Sequence, residues 1–372
     1  MRVGILITSV GDFGKSGFYN SQEIGLAKAL DRFCEEVLVY KAVNEFEKWT
    51  EFKIEGCKHT MLCQIPVRSY GVNGVWDCKV MDNTIDALIY FSDTQISVPK
   101  VYKWCNQNNI KMYPYIGIMK SHSTSKIKGT LVNLLFFRNI CVYRKCTCLV
   151  KTPDVKTNLM DLRVKKCILA PVGLDLTLLN QNFREISVNK LKKKNNLDEN
   201  NKILLFVGRM IPEKQPIRMI EIFKKLYAED QRFHLIIIGK GELLDNVKKS
   251  AAEVIEAVTF IEQIPNKDIW EFYCMADAFV NLNQREIFGM AILEAMYYGC
   301  KVVAWRAPGP DYIIENGQTG FLANNDEEIL KYIRKGNVDR NLVRKRVLNS
   351  FTWKHIAEKI YLLLQEQMKN EN

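Results

Sequence analysis

Glu286 and Glu294 are the residues whose types and spacing best fit a chemical site. They lie eight positions apart in the run Glu286-Ile-Phe-Gly-Met-Ala-Ile-Leu-Glu294, which follows an apolar stretch from Ala278 to Leu282. The apolar stretch predicts a strand, which places Glu286 in a loop, Gly289 at the start of a helix, and Glu294 about a turn and a half inside that helix. Carboxylates can hold sugar hydroxyls and a ribose, while helix N-terminal amides can hold a phosphate.

Positive charge for the same site comes from Phe206-Val-Gly-Arg-Met-Ile-Pro-Glu-Lys214. Arg209 directly follows a predicted strand, and Lys214 lies near the start of the next helix. A lysine early in a helix is electrostatically disfavoured unless an anion is bound nearby. These two cations are therefore expected to stabilise a departing diphosphate.

Two glycine-containing turns resemble nucleotide-binding motifs without matching them. Gly239-Lys-Gly241-Glu242 follows a predicted strand but lacks the third glycine of the dinucleotide fingerprint, so it predicts a tight turn on the nucleotide-base side. Gly14-Lys15-Ser16 resembles the end of a phosphate-binding P-loop, yet Ser9 stands where that motif requires glycine. The sequence therefore argues against nucleoside triphosphate hydrolysis.

The ordered set of motifs resembles the retaining glycosyltransferases of family 4. The set comprises Gly208-Arg209, Lys214, Gly239-Lys-Gly241-Glu242, the two glutamates, and Glu315-Asn-Gly-Gln-Thr-Gly320-Phe321. The similarity covers about residues 200 to 368. It implies that Glu286 holds hydroxyls of the donor sugar and Glu294 the nucleotide ribose. It further implies a donor and nucleotide site that includes Gly208, Gly239, Gly241, Phe288, Gly289, Met290 and Ala291, with the amides near Gly289 meeting the distal phosphate.

The resemblance also implies two contributions from the first domain. A glycine loop with Gly14 and Gly17 would border the cleft near the donor phosphates and the acceptor. His122, which follows a predicted strand from Met112 to Ile118, is the candidate for a histidine that contacts the donor sugar at the reaction centre. It lies a few residues later than the family pattern, so an ordinary loop histidine is the competing interpretation.

The chain contains no Asp-x-Asp motif, so no metal and no cofactor are expected, with a UDP- or GDP-sugar serving as donor substrate. The resemblance implies retention of anomeric configuration through a positively charged sugar-like transition state. In that mechanism the departing phosphate oxygen helps to deprotonate the acceptor hydroxyl on the same face, and no protein nucleophile is required.

Alternating apolar strands and helices predict an α/β protein with two doubly wound, Rossmann-like domains. The resemblance implies the GT-B fold, in which the domains face a central cleft and the C-terminal helix crosses back. We expect an acceptor-binding domain at residues 1–180, a linker at 181–200, a nucleotide-sugar domain at 201–352, and the crossover helix at 353–372. Within the Lys- and Asn-rich stretch from Asn182 to Asn201, the run at residues 192–196 predicts a solvated loop. Residues 41–80 show a less regular pattern.

Net charge is unevenly distributed, because residues 94–170 hold fourteen basic and two acidic side chains. Such a segment predicts an anionic partner. Residues 126–145 combine an apolar stripe with flanking bases, which fits either a core helix or a surface that meets anionic lipid headgroups. The second interpretation would suit a lipid-linked acceptor, and a glycan acceptor is also compatible with the resemblance.

Eleven scattered cysteines predict reduced, buried thiols rather than disulfides or a zinc site. The first residues predict a strand rather than a signal peptide. We therefore expect a cytoplasmic protein, peripheral on the inner membrane face, that acts in cell-surface polysaccharide or glycolipid assembly. The competing functions are a nucleotide-sugar epimerase of the same architecture and a basic nucleic-acid binder. The sequence lacks a convincing set of elimination residues for the first and a recognised aromatic–basic module for the second.

Overall fold

The computed structural model describes residues 1–9, 21–44, 48–70, 73–93, 95–117, 126–265 and 267–369. Two compact units divide the chain, one formed by Met1–Gly173 with Trp353–Asn372 and the other by Leu174–Thr352. Residues 174–200, which the sequence assigned to the end of the first domain and to a linker, group with the second unit.

The first unit is built on one mainly parallel sheet. Its strands are β1 (Arg2–Ile7), β2 (Glu36–Asn44), β3 (Thr50–Lys53), β4 (Thr60–Tyr70), β5 (Asn73–Val75), β6 (Ala87–Phe91), β7 (Lys111–Ile116), β8 (Cys148–Val150) and β9 (Cys167–Leu169). They are ordered β3-β4-β2-β1-β6-β7-β8-β9, with β5 beside β4. The central strands are apolar runs because helices cover both faces of a parallel sheet.

The second unit contains a six-stranded sheet in which every described neighbour is parallel. Its strands are β10 (Lys202–Val207), β11 (Phe233–Ile238), β12 (Val258–Ile261), β13 (Ala278–Asn281), β14 (Val302–Trp305) and β15 (Phe321–Ala323). Across the sheet the strands lie in the order β12-β11-β10-β13-β14-β15. The strand numbers fall as far as β10 and rise from β13, so the chain order reverses between these two strands. In such sheets ligands bind at the carboxyl ends of the strands that flank the reversal.

Helices connect the strands and cover the two sheets. They are α1 (Gln22–Leu30), α2 (Val98–Gln107), α3 (Lys126–Tyr143), α4 (Pro153–Asp161), α5 (Val188–Lys194), α6 (Pro216–Glu229), α7 (Leu244–Ser250), α8 (Trp270–Met275), α9 (Met290–Tyr297), α10 (Pro308–Ile313), α11 (Asp326–Lys335), α12 (Arg340–Ser350) and α13 (Trp353–Lys369).

The solvated loop expected at residues 192–196 is wrong in part, because helix α5 extends to Lys194. Leu191 is buried, and Lys194 forms an ion pair of 2.6 Å with Glu271 on α8. The lysine-rich composition predicts a loop, but the single buried leucine, Leu191, packs this short helix onto the second unit.

The last helix returns to the first unit, where α13 packs against α1. A Cβ on Gly25 would lie 2.2 Å from Nε1 of Trp353, so the indole ring occupies the space that a side chain on α1 would fill. Farther along α13, the side-chain amide of Gln367 donates to the Thr147 hydroxyl at 3.0 Å. Glycine at position 25 therefore allows the close approach of these two helices.

Candidate functional site

Lys214 and Glu286 meet at the carboxyl edge of the second sheet. Lys214 ends a 3-10 turn, Pro212–Lys214, that follows β10, and Glu286 lies in the loop after β13. The ammonium Nζ is 2.6 Å from Oε2 of Glu286, and the two side chains are 20% and 14% exposed. Because β10 and β13 are neighbours at the strand-order reversal, this pair lies where a ligand is expected.

Two asparagine amides complete the surroundings of Glu286. Nδ2 of Asn283 donates to Oε2 at 3.1 Å, and Nδ2 of Asn281 donates to the same atom at 3.4 Å. Burial opposes ionisation of this carboxyl group, but Lys214 and the amides outweigh burial, so the pKa of Glu286 lies below its ordinary value. Glu286 is therefore a carboxylate at neutral pH, able to accept hydrogen bonds from hydroxyl groups.

Helix α9 begins beside this pair. Gly289 precedes it with a φ of 102°, a left-handed conformation that favours glycine. The first backbone N–H groups of a helix have no partner within the helix, so they present a partial positive charge to an anion. The expected order of loop acid, glycine and helix is confirmed by the structure.

Glu294 lies within α9, and the Tyr273 hydroxyl donates to its Oε2 at 2.9 Å. Burial raises the pKa of Glu294 to about 7, although the Tyr273 hydrogen bond acts in the opposite direction. The two glutamates thus differ in charge state, since a cation holds Glu286 ionised while burial keeps Glu294 partly protonated at neutral pH.

The turns after β10 and β11 are in close backbone contact. A Cβ on Gly239 would lie 1.9 Å from the carbonyl oxygen of Gly208, and one on Gly241 would lie 2.5 Å from the carbonyl oxygen of Met210. The backbone N–H of Met210 donates to the Lys240 carbonyl at 3.0 Å. The predicted tight turn at Gly239 therefore exists, and its glycines are needed for contact with the turn that carries Arg209.

Arg209 is exposed in the turn between Gly208 and Met210. Phe288, by contrast, is buried, and its ring centroid lies 6.2 Å from that of Phe351. Met290 and Ala291 form the first positions of α9. The predicted second-unit residues thus lie in the turns after β10 and β11, in the loop after β13 and in helix α9.

Some residues at this edge were not predicted from the sequence. Gly309 donates its backbone N–H to the Glu286 carbonyl at 2.9 Å. A Cβ at this position would lie 2.2 Å from the Phe288 carbonyl oxygen. Asn281, Asn283 and Tyr273 were also missed, because their hydrogen bonds to the glutamates depend on tertiary contacts. An Asn-x-Asn pattern at the end of the strand was the available signal for the two asparagines.

Three predicted first-unit residues lie outside the described residues: Gly14, Gly17 and His122. No group of acidic, histidine or cysteine side chains suited to a metal ion occurs in the described part of the chain. All eleven cysteines are free thiols, and ten of them are buried, as their positions in apolar runs predicted. None of the helices, over the ranges described, combines the length and apolar character needed to cross a bilayer.

Helix α3 fits both interpretations of residues 126–145, because one face lies in the core and the other is exposed and apolar. Phe136 and Ile140 are buried in the core of the first unit. Leu134 and Phe137 are 67% and 63% exposed, and Cys141 is exposed as well. The helix is thus a core element with an apolar outer face.

Comparisons with known proteins show which family part of this chain resembles. Residues 187–349 match the model of the glycosyl transferases group 1. The alpha-monoglucosyldiacylglycerol synthase of Acholeplasma laidlawii is 25% identical over 171 residues, which cover 44% of this chain and 42% of that protein. The lipopolysaccharide 1,2-N-acetylglucosaminetransferase of Salmonella typhimurium is 26% identical over 210 residues, covering 51% and 54%. The chain spans about half the length of the curated relatives it matches.

Solved structures match over nearly the whole chain. The Anabaena protein HepE, in complex with UDP and glucose, superposes with a TM-score of 0.70 and 15% identity, covering 98% of this chain and 99% of that one. Sucrose-phosphate synthase from Thermosynechococcus elongatus gives a TM-score of 0.78 and 16% identity, covering 99% of each chain. These matches confirm the predicted GT-B fold.

Proposed function

We propose that this chain, whose residues 187–349 match the model of the glycosyl transferases group 1, is a retaining glycosyltransferase. It moves a hexose-type sugar from a nucleoside diphosphate sugar to an acceptor hydroxyl. The observation that carries the proposal is the 2.6 Å pairing of Lys214 with Glu286 beside the start of α9. A nucleoside diphosphate sugar joins an anionic phosphate to a sugar with several hydroxyl groups. A cation beside a carboxylate suits that junction, because the cation binds the phosphate and the carboxylate accepts from the hydroxyls.

Each part of the donor has a chemical counterpart in this edge of the sheet. Arg209, Lys214 and the first N–H groups of α9 supply positive charge for the diphosphate. The ionised Glu286 accepts hydrogen bonds from sugar hydroxyls, and Glu294 accepts them from the ribose. Lys214, already paired with Glu286, would then lie between two anionic groups, which keeps the donor sugar and its leaving group in a fixed relation.

The reaction needs positioning and charge stabilisation rather than a protein nucleophile. The bond between the sugar and the phosphate oxygen breaks as the acceptor oxygen attacks the same face. The departing phosphate oxygen takes the acceptor proton, so charge develops on the diphosphate and is offset by the two cations. The chemistry assigned to these side chains involves neither a metal nor a cofactor.

The relatives support an acceptor class. HepE is described in complex with UDP and glucose, which supports a nucleoside diphosphate sugar as donor. The names of a glucosyldiacylglycerol synthase and a lipopolysaccharide transferase support a glycolipid or a cell-surface glycan as product. A lipid-linked acceptor lies in a membrane, so the protein is proposed to work as a peripheral protein on the cytoplasmic face.

The outer face of α3 suits that location. Its exposed Leu134 and Phe137 lie beside Arg138, which is also exposed, and Arg144 and Lys145 follow the helix. Apolar side chains flanked by bases bind anionic bilayers through burial and charge together. Replacing Leu134 and Phe137 by serine should reduce co-sedimentation with vesicles containing anionic lipid. Leu362→Ser, at an exposed leucine of α13, is the matched control, and equal binding of both variants would contradict this role.

Incubation with a panel of radiolabelled UDP- and GDP-sugars tests the proposed reaction. Transfer of label to a lipid or glycan acceptor is the expected result, and Lys214→Ala should abolish it. Lys224→Ala, which removes an exposed ion pair with Glu253 on the same unit, should leave transfer unchanged. Isomerisation of the sugar without transfer would indicate the epimerase instead, and full transfer by Lys214→Ala would refute the site assignment.

A further inference from the structure

Tyr273 is a buried tyrosine whose hydroxyl reaches a residue of the proposed donor site. It lies on α8, is 0% exposed, and donates to Oε2 of Glu294 at 2.9 Å. We propose that Tyr273 is a positioning residue for nucleotide binding: it occupies one carboxylate oxygen of Glu294 and leaves the other to accept from the ribose. This inference rests on the proposed role of Glu294 as the ribose ligand.

The ring of Tyr273 is held by two other aromatic side chains. It stacks on Tyr298 with centroids 6.0 Å apart and planes inclined by 11°, and it meets Phe279 edge to face at 6.0 Å. The Tyr298 hydroxyl accepts a hydrogen bond from the Asn180 backbone N–H at 3.2 Å. A ring packed from two sides has little rotational freedom, so its hydroxyl fixes the position of the carboxylate.

The second oxygen of Glu294 remains available. Within the described part of the chain, Oε1 accepts no hydrogen bond. A ribose offers neighbouring hydroxyl donors, and a carboxylate with one oxygen already satisfied can accept from them with the other. Tyr273 thus orients the Glu294 carboxylate through Oε2 and leaves Oε1 to accept hydrogen bonds from the ribose.

Tyr273 also affects the charge on Glu294. Hydrogen bonding to a carboxylate favours its ionised form, while burial favours the neutral form. The titratable groups that act on Tyr273 beside Glu294 are Tyr298 after α9 and Cys300 before β14, and Cys274 on α8 acts on Tyr298. Burial raises the pKa of Cys274 and Cys300 to about 12 and that of Tyr298 further, so all three stay neutral near pH 7. Arg340 is the nearby cation that acts on the two thiols.

Tyr273→Phe removes the hydroxyl while keeping the ring, which makes it the decisive variant. The affinity for UDP and for GDP is measured by calorimetry between pH 5.5 and 9. In the parent protein, affinity should rise with pH around the Glu294 pKa of about 7. In Tyr273→Phe the midpoint should move upward by about one pH unit, and affinity at pH 7 should fall about fivefold, recovering at high pH.

Tyr297→Phe is the control, since the Tyr297 hydroxyl accepts from Arg344 at 3.3 Å. It should keep the parent midpoint. A second measurement needs no nucleotide: the unfolding free energies of each protein and its Glu294→Gln derivative diverge above the unfolded-chain pKa, and the pH at which their difference levels off reports the folded-state pKa of Glu294. That pH should rise in Tyr273→Phe alone.

The outcomes separate this inference from the proposed function. If Glu294→Gln loses nucleotide affinity while Tyr273→Phe keeps both affinity and midpoint, the role of Tyr273 is refuted and the ribose assignment stands. An equal loss of affinity at every pH, without a moved midpoint, shows a merely structural role and also overturns the inference. If Glu294→Gln binds nucleotide as the parent does, the ribose assignment itself fails.

Discussion

Glu294→Gln should make the free protein more stable at neutral and alkaline pH, even though it removes a proposed donor-binding group. Glu294 is packed into the second unit, with the Tyr273 hydroxyl as its described hydrogen-bond partner. Burial raises its pKa from 4.5 to about 7. Glutamine has nearly the same shape and carries no ionisable group, so it removes the cost of burying a charge.

The size of the effect follows from the two pKa values. Below about pH 4.5 the acid is protonated in both the folded and the unfolded chain, so it contributes no pH-dependent cost. Between 4.5 and about 7 the unfolded chain releases the proton while the folded chain retains it, so stability falls as pH rises. Since each pH unit of difference is worth about 1.4 kcal/mol, the loss above pH 7 is about 3 kcal/mol.

Urea unfolding at pH 5 and at pH 8.5 measures this difference. Glu294→Gln should exceed the parent by about 3 kcal/mol at the higher pH and by about 0.8 kcal/mol at the lower pH. Glu253→Gln, which alters an exposed acid paired with Lys224, should show no such gain. Parallel stability curves for Glu294→Gln and the parent, or a less stable variant at pH 8.5, would refute the assignment of a buried, reluctantly ionised carboxyl group.

Three further substitutions test other parts of the second and first units. Glu286→Gln should lower kcat/KM about 10- to 100-fold with little change in nucleoside diphosphate affinity, because a hydrogen bond to a charged acceptor is lost on the sugar side; an equal loss of nucleotide affinity would contradict that role. Gly239→Ala should lower the free energy of unfolding by about 2–3 kcal/mol, since its Cβ would meet the Gly208 carbonyl at 1.9 Å. Gly317→Ala, with open space at a φ of 80°, should cost about 1 kcal/mol, and equal losses would refute the contact. Trp353→Ala should cost about 3–5 kcal/mol through a cavity against α1, as measured by denaturant unfolding, whereas Trp353→Phe should cost less.

The strands of the second unit were predictable because each carries its own signal. Apolar runs such as Ile203–Val207 and His234–Ile238 lie within β10 and β11, and a glycine or polar turn follows each one. The parallel arrangement follows from the helices between them. The position of the site then follows from topology, since consecutive parallel strands bring their carboxyl ends to one edge.

Residues 41–80 were harder to predict. They contain β3, β5 and the long strand β4, which pairs with β2 through Pro66 opposite Val43. A proline inside a strand argues against a strand assignment, so the pattern was obscured. Here the neighbouring strands determine the structure more strongly than local preference does.

The hydrogen-bond partners of the two glutamates could not be predicted from the sequence, for a different reason. Tyr273 lies 21 positions before Glu294, and nothing in the spacing shows that α8 and α9 pack side by side. The ion pair between Lys214 and Glu286 joins residues 72 positions apart. The motifs predict which residues form the candidate site, while the hydrogen bonds among them are visible only in the folded chain.

The return of α13 to the first unit has a consequence for how the chain folds during synthesis. The second unit is one continuous stretch, Leu174–Thr352, whereas the first unit combines Met1–Gly173 with Trp353–Asn372. The face of α1 around Gly25 therefore emerges from the ribosome long before Trp353, which covers it. At about 5–20 residues per second, this apolar surface waits roughly ten seconds or more for its partner helix. Chaperone binding to nascent chains should accordingly concentrate on the first half and end only when the last helix has been made.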